Sequence, residues 1–147
     1  MIDNEKVLAR LLQYAYRAEY DEGEIIFHVL PEIPTRDDWE ILMTMFKDNI
    51  VHMEMIEEML EVLGYEPPEL VSRKLPEVTD RNCALEFIAK FEQTAHNYYS
   101  YLLERVDFGK VEDSIKNTLK TLAEWERRHM EMIRRVLDNF KVRYKLL

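Results

Sequence analysis

His52-Met53-Glu54-Met55-Ile56 recurs letter for letter as His129-Met130-Glu131-Met132-Ile133. Three positions before His129 stands Glu126, which makes Glu-x-x-His; three before His52 stands Asn49. On an α-helix that spacing sets a carboxylate and an imidazole about one turn apart on a single face. Carboxylate oxygen with imidazole nitrogen is a donor set for divalent iron, manganese or zinc. Glu-x-x-His on two helices, completed by one Glu from each of two others, is how a four-helix bundle holds two metal ions in its core. One half of that pair is intact here. In the other half, Asn49 puts a neutral amide where the carboxylate belongs.

Four long segments must carry these residues. Pro31 and Pro34 close the first, Gly64, Pro67, Pro68 and Pro76 fill a long second connection, and Gly109 marks the third. Helices are expected over about 3–30, 36–63, 81–106 and 111–141. Thr35 and Asp38 resemble a capping box, and Asp80 and Asp107 are candidate starts for the third and fourth helices. Each segment has apolar residues at alternating three- and four-residue spacing, which keeps them on one helical face. These seams run Leu8, Leu12, Ala15, Ile26, Val29; then Trp39, Leu42, Phe46, Met53, Ile56, Leu60, Leu63. They continue as Ile88, Ala95, Tyr99, Leu102, Val106 and as Ile115, Leu119, Leu122, Ile133, Val136, Phe140. The expected fold is all-α: a single-domain, up-down four-helix bundle over 1–147, built as two helical hairpins joined by a long crossover.

At mid-height every seam admits polar residues. Glu19 and Glu22 interrupt the first, Asn49 the second, Glu92 the third, Glu126 and His129 the fourth. His52 lies one turn past Asn49, and His96 one turn past Glu92. A buried carboxylate without a partner costs several kcal/mol, so such acids protonate, pair or bind a cation. The bland reading of a Glu on an amphipathic helix is a solvated flank, and a one-residue change of register would turn Glu22 to the surface. Glu19, Glu92 and Glu126 fall on their seams in register. A lone His on an apolar face is commonly a hydrogen-bonded core residue. His52, His96 and His129 lie beside seam acids, which favours ligation, whereas His28 near a helix end reads as structural. The methionines of the second and fourth helices read as core filler. Tyr98, Tyr99 and Tyr101 read as packing, with Tyr99 in reach of a seam carboxylate. Cys83 and Trp125 carry no functional argument.

Composition narrows the class. The chain has 147 residues, 47% of them hydrophobic and 33% charged, which suits an amphipathic helical domain able to bury a core. Its 3 Gly and 5 Pro leave few turns for a β fold rich in hairpins. A net charge of −9 argues against a nucleic-acid partner. No apolar run approaches the roughly 20 residues of a membrane span. Met1-Ile2-Asp3-Asn4-Glu5 lacks the basic-then-apolar order of a signal peptide, so a cytoplasmic setting is expected. The one cysteine precludes an internal disulfide and a Cys-x-x-Cys metal knuckle.

With these residues in place, the chain resembles the ferritin-like superfamily, and within it the rubrerythrin-like di-iron carboxylate proteins, from about Leu8 to Phe140. The resemblance implies that Glu19 and Glu92 are the single carboxylates of the first and third helices. Glu126 with His129 matches the complete fourth-helix motif, and His52 the histidine of the second. Asn49 stands where the family has a bridging Glu. The implied cofactor is two transition-metal ions, iron first, with manganese or zinc as alternatives, held by Glu19, His52, Glu92, Glu126 and His129. The implied activity is an oxidoreductase acting on peroxide, dioxygen or ferrous iron.

Asn49 is the departure, because an amide does not bridge two cations as a carboxylate does. Asn49 therefore predicts unequal binding: one ion firm on Glu92, Glu126 and His129, the other weak on Glu19 and His52. His96 could add an imidazole, and Glu22 or Asp48 could restore charge, although Asp48 is turned about 100° from Asn49. The single cysteine leaves no Cys-rich rubredoxin module, so a redox cycle would need a separate electron donor. Two rival readings stand beside the first: a non-catalytic protein holding a metal at a weakened site, and a structural bundle whose site is degenerate. Methionine-lined helix faces also suit a homodimer.

Overall fold

The computed structural model describes residues 1–71 and 80–145, with residues 142–145 described by backbone alone. Four helices make the fold: α1 (Glu5–Val29), α2 (Arg36–Leu63), α3 (Arg81–Arg105) and α4 (Ser114–Lys145). A short 3-10 turn, Leu30–Glu32, joins α1 to α2 around Pro31. Helix α1 starts at Asn4, whose side chain accepts from the backbone N–H of Lys6 and Val7, and α3 at Asp80, which accepts from Cys83 N–H at 2.7 Å. Both side chains satisfy donors that the first helical turn leaves open. Helix α2 stops at Gly64, whose φ of +81° is the left-handed conformation that favours glycine.

Two expected caps differ in the structure. Thr35 is the N-cap of α2 but makes no side-chain bond to its backbone. Its hydroxyl donates to Asp38 Oδ2 at 2.9 Å, and Asp38 Oδ1 accepts from Asn139 Nδ2 at 3.1 Å, which ties the start of α2 to α4. Asp107 does not open the fourth helix, which begins at Ser114; Asp107 Oδ1 instead accepts from Gly109 N–H within the preceding turn. Pro76 lies outside the described residues.

Helix α1 packs along α2 and α3 along α4, while α2 meets α4 and α1 meets α3 across the middle. Two apolar blocks fill the bundle. One contains Leu8, Leu12, Ile56, Leu60, Tyr99, Leu102, Ile115 and Leu122; the other contains Ile26, Leu42, Met45, Leu85, Ile88, Ile133, Val136 and Phe140. The order in which each helix visits the blocks makes α1 antiparallel to α2, α3 antiparallel to α4, and α2 parallel to α3. The crossover must therefore travel the length of the bundle. A helix as long as α2 spans about 40 Å, which an extended chain covers in about a dozen residues, so the long connection is a geometric necessity. Its first part lies on α1, where Gln13 Nε2 donates to the Glu66 carbonyl at 2.8 Å and Arg17 Nη2 to that of Glu69 at 3.3 Å. At the N-terminus, Ile2 pairs in parallel with Val106 beyond the end of α3.

The seam of α2 is wider than its expected line. Trp39 is exposed and Phe46 and Met53 are half-buried, whereas Met45, His52 and Met59 are buried. A helix wedged between two neighbours buries a broad stripe, so a single line of three- and four-residue steps traces only part of it. Among the described residues, no helix is long and apolar enough to cross a membrane.

Candidate metal centre

Between the two apolar blocks lies a polar layer closed to solvent. Glu19 and Glu22 come from α1, Asn49 and His52 from α2, Glu92 from α3, Glu126 and His129 from α4, each at most 1% exposed. The layer thus brings together Glu19, His52, Glu92, Glu126 and His129, and adds Glu22 and Asn49. His96 is turned away from it: its Nδ1 lies 2.9 Å from the Ala123 carbonyl and its ring is half-buried. His28 is exposed on the surface, 3.9 Å from Glu24.

Two triads share one carboxylate. Ligand atoms of Glu19, His52 and Glu126 lie within 4.8 Å of one another, as do those of Glu92, Glu126 and His129. His52 Nδ1 is 2.8 Å from Glu126 Oε1 and 3.4 Å from Glu19 Oε2. His129 Nδ1 is 3.4 Å from Glu92 Oε2 and 3.7 Å from Glu126 Oε2. Glu126 thus turns one oxygen to each histidine. The rings of His52 and His129 are stacked at 5.4 Å.

None of these approaches has hydrogen-bond geometry. Glu19 Oε2, both oxygens of Glu92 and of Glu126, both nitrogens of His52 and His129 Nδ1 are buried without a hydrogen-bond partner. Buried polar atoms are nearly always paired, so a convergent set left unpaired needs an explanation. A cation within each triad would supply it, since the ligand atoms of each triad lie close enough together to share one ion. Mixed carboxylate and imidazole donors suit iron, manganese or zinc.

The electrostatics of the metal-free layer agree. Burial, helped by the charge on Glu126, raises the Glu19 carboxyl to about 7. Burial and neighbouring carboxyls push Glu22 and Glu92 well above the ordinary value. Glu126 is held well below the carboxylate range: burial opposes ionisation, but Glu92, His129 and His52 outweigh it. Burial would lower both imidazoles, yet Glu126 and Glu19 raise His52 to about 9, and Asp48 and Glu126 raise His129 to about 9. The raised groups favour their protonated forms in the metal-free layer, and a bound metal ion would displace those protons.

Two supporting residues take roles that sequence reasoning did not give them: Asp48, expected only as a replacement charge, and Trp125, which carried no functional argument. Asp48 Oδ2 lies 2.8 Å from His129 Nε2 and accepts from Trp125 Nε1 at 3.0 Å. A carboxylate on the far nitrogen fixes the imidazole so that Nδ1 offers its lone pair inward, the usual arrangement around a metal-bound histidine. The edge of Trp125 also packs against the His52 ring, with centroids 4.7 Å apart. The signal was present in the repeat: Asp48 precedes Asn49 as Trp125 precedes Glu126, so the approximate two-fold relation sets the two face to face. Tyr99 meets its expected carboxylate, donating to Glu19 Oε1 at 2.9 Å. The Asp48→Asn variant is expected to weaken the ion on the His129 side about 10- to 100-fold, with a smaller effect on the other. Manganous titration of wild type and variant measures this, and equal losses at both ions would contradict it.

An all-α bundle of two hairpins with a full-length crossover and a mid-height layer of Glu and His is the ferritin-like fold. Comparison with solved structures agrees. A protein from Xanthomonas campestris superposes with a TM-score of 0.82 at 13% identity, over 95% of this chain and 94% of its own. A dodecameric thioferritin from Bacteroides fragilis, described as bacterioferritin-related, gives 0.81 at 15% identity, over 98% and 92%. A ferritin-like, diiron-carboxylate protein from Bacillus anthracis gives 0.78 at 19% identity, over 93% and 99%. No family model matches the sequence, and no curated protein does. The chain therefore has the ferritin-like fold, with a buried Glu/His cluster that could hold a metal ion.

Proposed function

We propose that the protein is a di-metal carboxylate oxidoreductase, with iron as the first choice of metal, acting on peroxide, dioxygen or ferrous iron. The observation that carries this reading is Glu126, one buried carboxylate shared by two triads that each contain an imidazole. Glu19, His52 and Glu126 would hold one ion, and Glu92, Glu126 and His129 the other. Iron bound there would supply the one-electron changes by which peroxide or dioxygen is reduced. Reduction of hydrogen peroxide to two waters takes two electrons and two protons; the electrons come from ferrous iron or a separate donor protein.

The chain's own residues provide the setting. Asp48 and Trp125 orient His129, and Tyr99 holds Glu19 through Oε1, leaving Oε2 facing His52. A cleft of about 290 Å³ between α1 and α3, lined by Ala18, Phe91, Ala95 and Tyr98, reaches Glu19. A second cleft between α1 and α2, lined by Tyr20, Gly23, Phe46 and Met53, reaches Glu19 and Asn49. Either cleft is large enough to admit peroxide or dioxygen.

Asn49 favours a second reading, in which the site binds metal without turnover. One experiment separates the two. Protein loaded anaerobically with ferrous ion is mixed with dioxygen or hydrogen peroxide, and near-ultraviolet absorption is followed. A protein-dependent rise faster than that of free ferrous ion, absent when His52 and His129 are both Ala, is expected. Bound ferrous ion that does not react faster than free ion would favour the binding reading.

A further inference from the structure

We propose that Glu22 is the fourth carboxylate ligand of the metal pair, replacing from α1 the carboxylate that Asn49 lacks on α2, and that the Asn49 amide holds it in place. The inference rests on the metal-centre reading above and adds a ligand to it. Glu22 is fully buried, one helical turn from Glu19. Its Oε1 accepts from Asn49 Nδ2 at 2.9 Å, and the same Nδ2 reaches the Glu19 carbonyl at 3.4 Å. These acceptors fix the amide's orientation, since the reverse would set its oxygen against two oxygens. The clamp leaves Glu22 Oε2 buried and without a hydrogen-bond partner, beside the Glu92 carboxyl.

Charge counting reaches the same residue. Two divalent ions bring four positive charges into a layer closed to solvent. Glu19, Glu92 and Glu126 supply three negative charges, and Glu22 supplies the fourth, so no uncompensated charge remains buried. The repeat makes Ala95 the counterpart of Glu22 and Glu126 that of Asn49. Each hairpin then contributes two carboxylates and one imidazole, with one carboxylate displaced from α2 to α1. Asp48, the other acid beside Asn49, is committed to His129 and Trp125.

The test is manganous ion titrated under argon into wild type and two variants, with free ion counted by its paramagnetic resonance and helix content checked by circular dichroism. Wild type is expected to bind two ions with affinities within about tenfold of each other, in place of the unequal pair that Asn49 without Glu22 predicts. Glu22→Gln keeps the side chain's shape and its acceptor for Asn49 while removing the charge. It is expected to weaken one ion at least tenfold and leave the other within about threefold. The double variant Glu22→Ala/Asn49→Glu returns the carboxylate to α2 and is expected to recover the lost affinity. Two ions bound by Glu22→Gln as tightly as by wild type would overturn the role of Glu22 and leave the metal centre standing. A folded double variant no better than Glu22→Gln would also overturn it. Wild type that binds no ion would overturn both the inference and the reading beneath it.

Discussion

At pH 8 the metal-loaded protein is expected to melt about 10 °C above the metal-free protein, and the gap is expected to close as pH falls to 5. The magnitude follows from mass action: an ion present at a thousand times its Kd, bound only by the native state, stabilises it by about 4 kcal/mol. For a domain of this size each kcal/mol moves Tm by about 2–4 °C. The pH dependence follows from the layer's protons. Glu19, raised to about 7, and Glu22 and Glu92, also raised well above the ordinary value, contribute stability that is complete below the ordinary carboxylate value of 4.5. That stability is lost as pH rises through their folded values. His52 and His129, raised to about 9, act in the same sense: their contribution is complete below about 6.5 and gone above 9. Glu126 and Asp48, both lowered, act oppositely: their stabilisation is complete above the ordinary carboxylate values and is lost progressively as pH falls below them. The metal-free protein should therefore be most stable near pH 5 and weaken toward pH 9. Metal binding needs those protons removed, so its contribution grows over the same interval. Calorimetry with chelator and with manganous ion, from pH 5 to 8.5, checks this. Melting curves that coincide at every pH would rule out a metal centre in this layer.

The double variant His52→Ala/His129→Ala is expected to lose both ions, with affinity falling at least about a thousandfold. Each triad contains one imidazole, and each of those nitrogens faces carboxylate oxygens within 3.7 Å. Removing one leaves its ion with carboxylates alone, a set that suits harder cations better than iron or zinc. Each single variant should therefore lose chiefly one ion, and the pair should lose both. The metal-free fold should suffer too, because Glu126 stays ionised in a buried layer partly through these two histidines. Its carboxyl should then protonate in the metal-free fold. Elemental analysis after anaerobic purification, with helix content confirmed, decides the point. Full metal retained in the double variant would show that these triads are not the site.

How legible each part was depends on whether its cause is local. Glu126 and His129 were readable because i,i+3 spacing is a property of one helix. Glu19 and Glu92 were readable because a carboxylate on an apolar seam is costly wherever that seam packs. The two hairpins and their crossover followed from where proline and glycine cluster. Glu22 was not decided, since a small rotation of α1 exposes or buries it, and only contact with α2 and α3 sets that rotation. His96 matched His52 in its sequence surroundings, yet packing against α4 turned it to the Ala123 carbonyl.

What the amino-acid order determined by itself was the presence of four amphipathic helices and a mid-height band of acids and imidazoles. Those are set by periodicity and by the cost of burying charge. The pairings across the bundle, Asp48 with His129 and Trp125, and Asn49 with Glu22, were decided only by tertiary structure. They join residues far apart in sequence on different helices. Their contact depends on interhelical distance and rotation, which the spacing of residues along one helix does not encode.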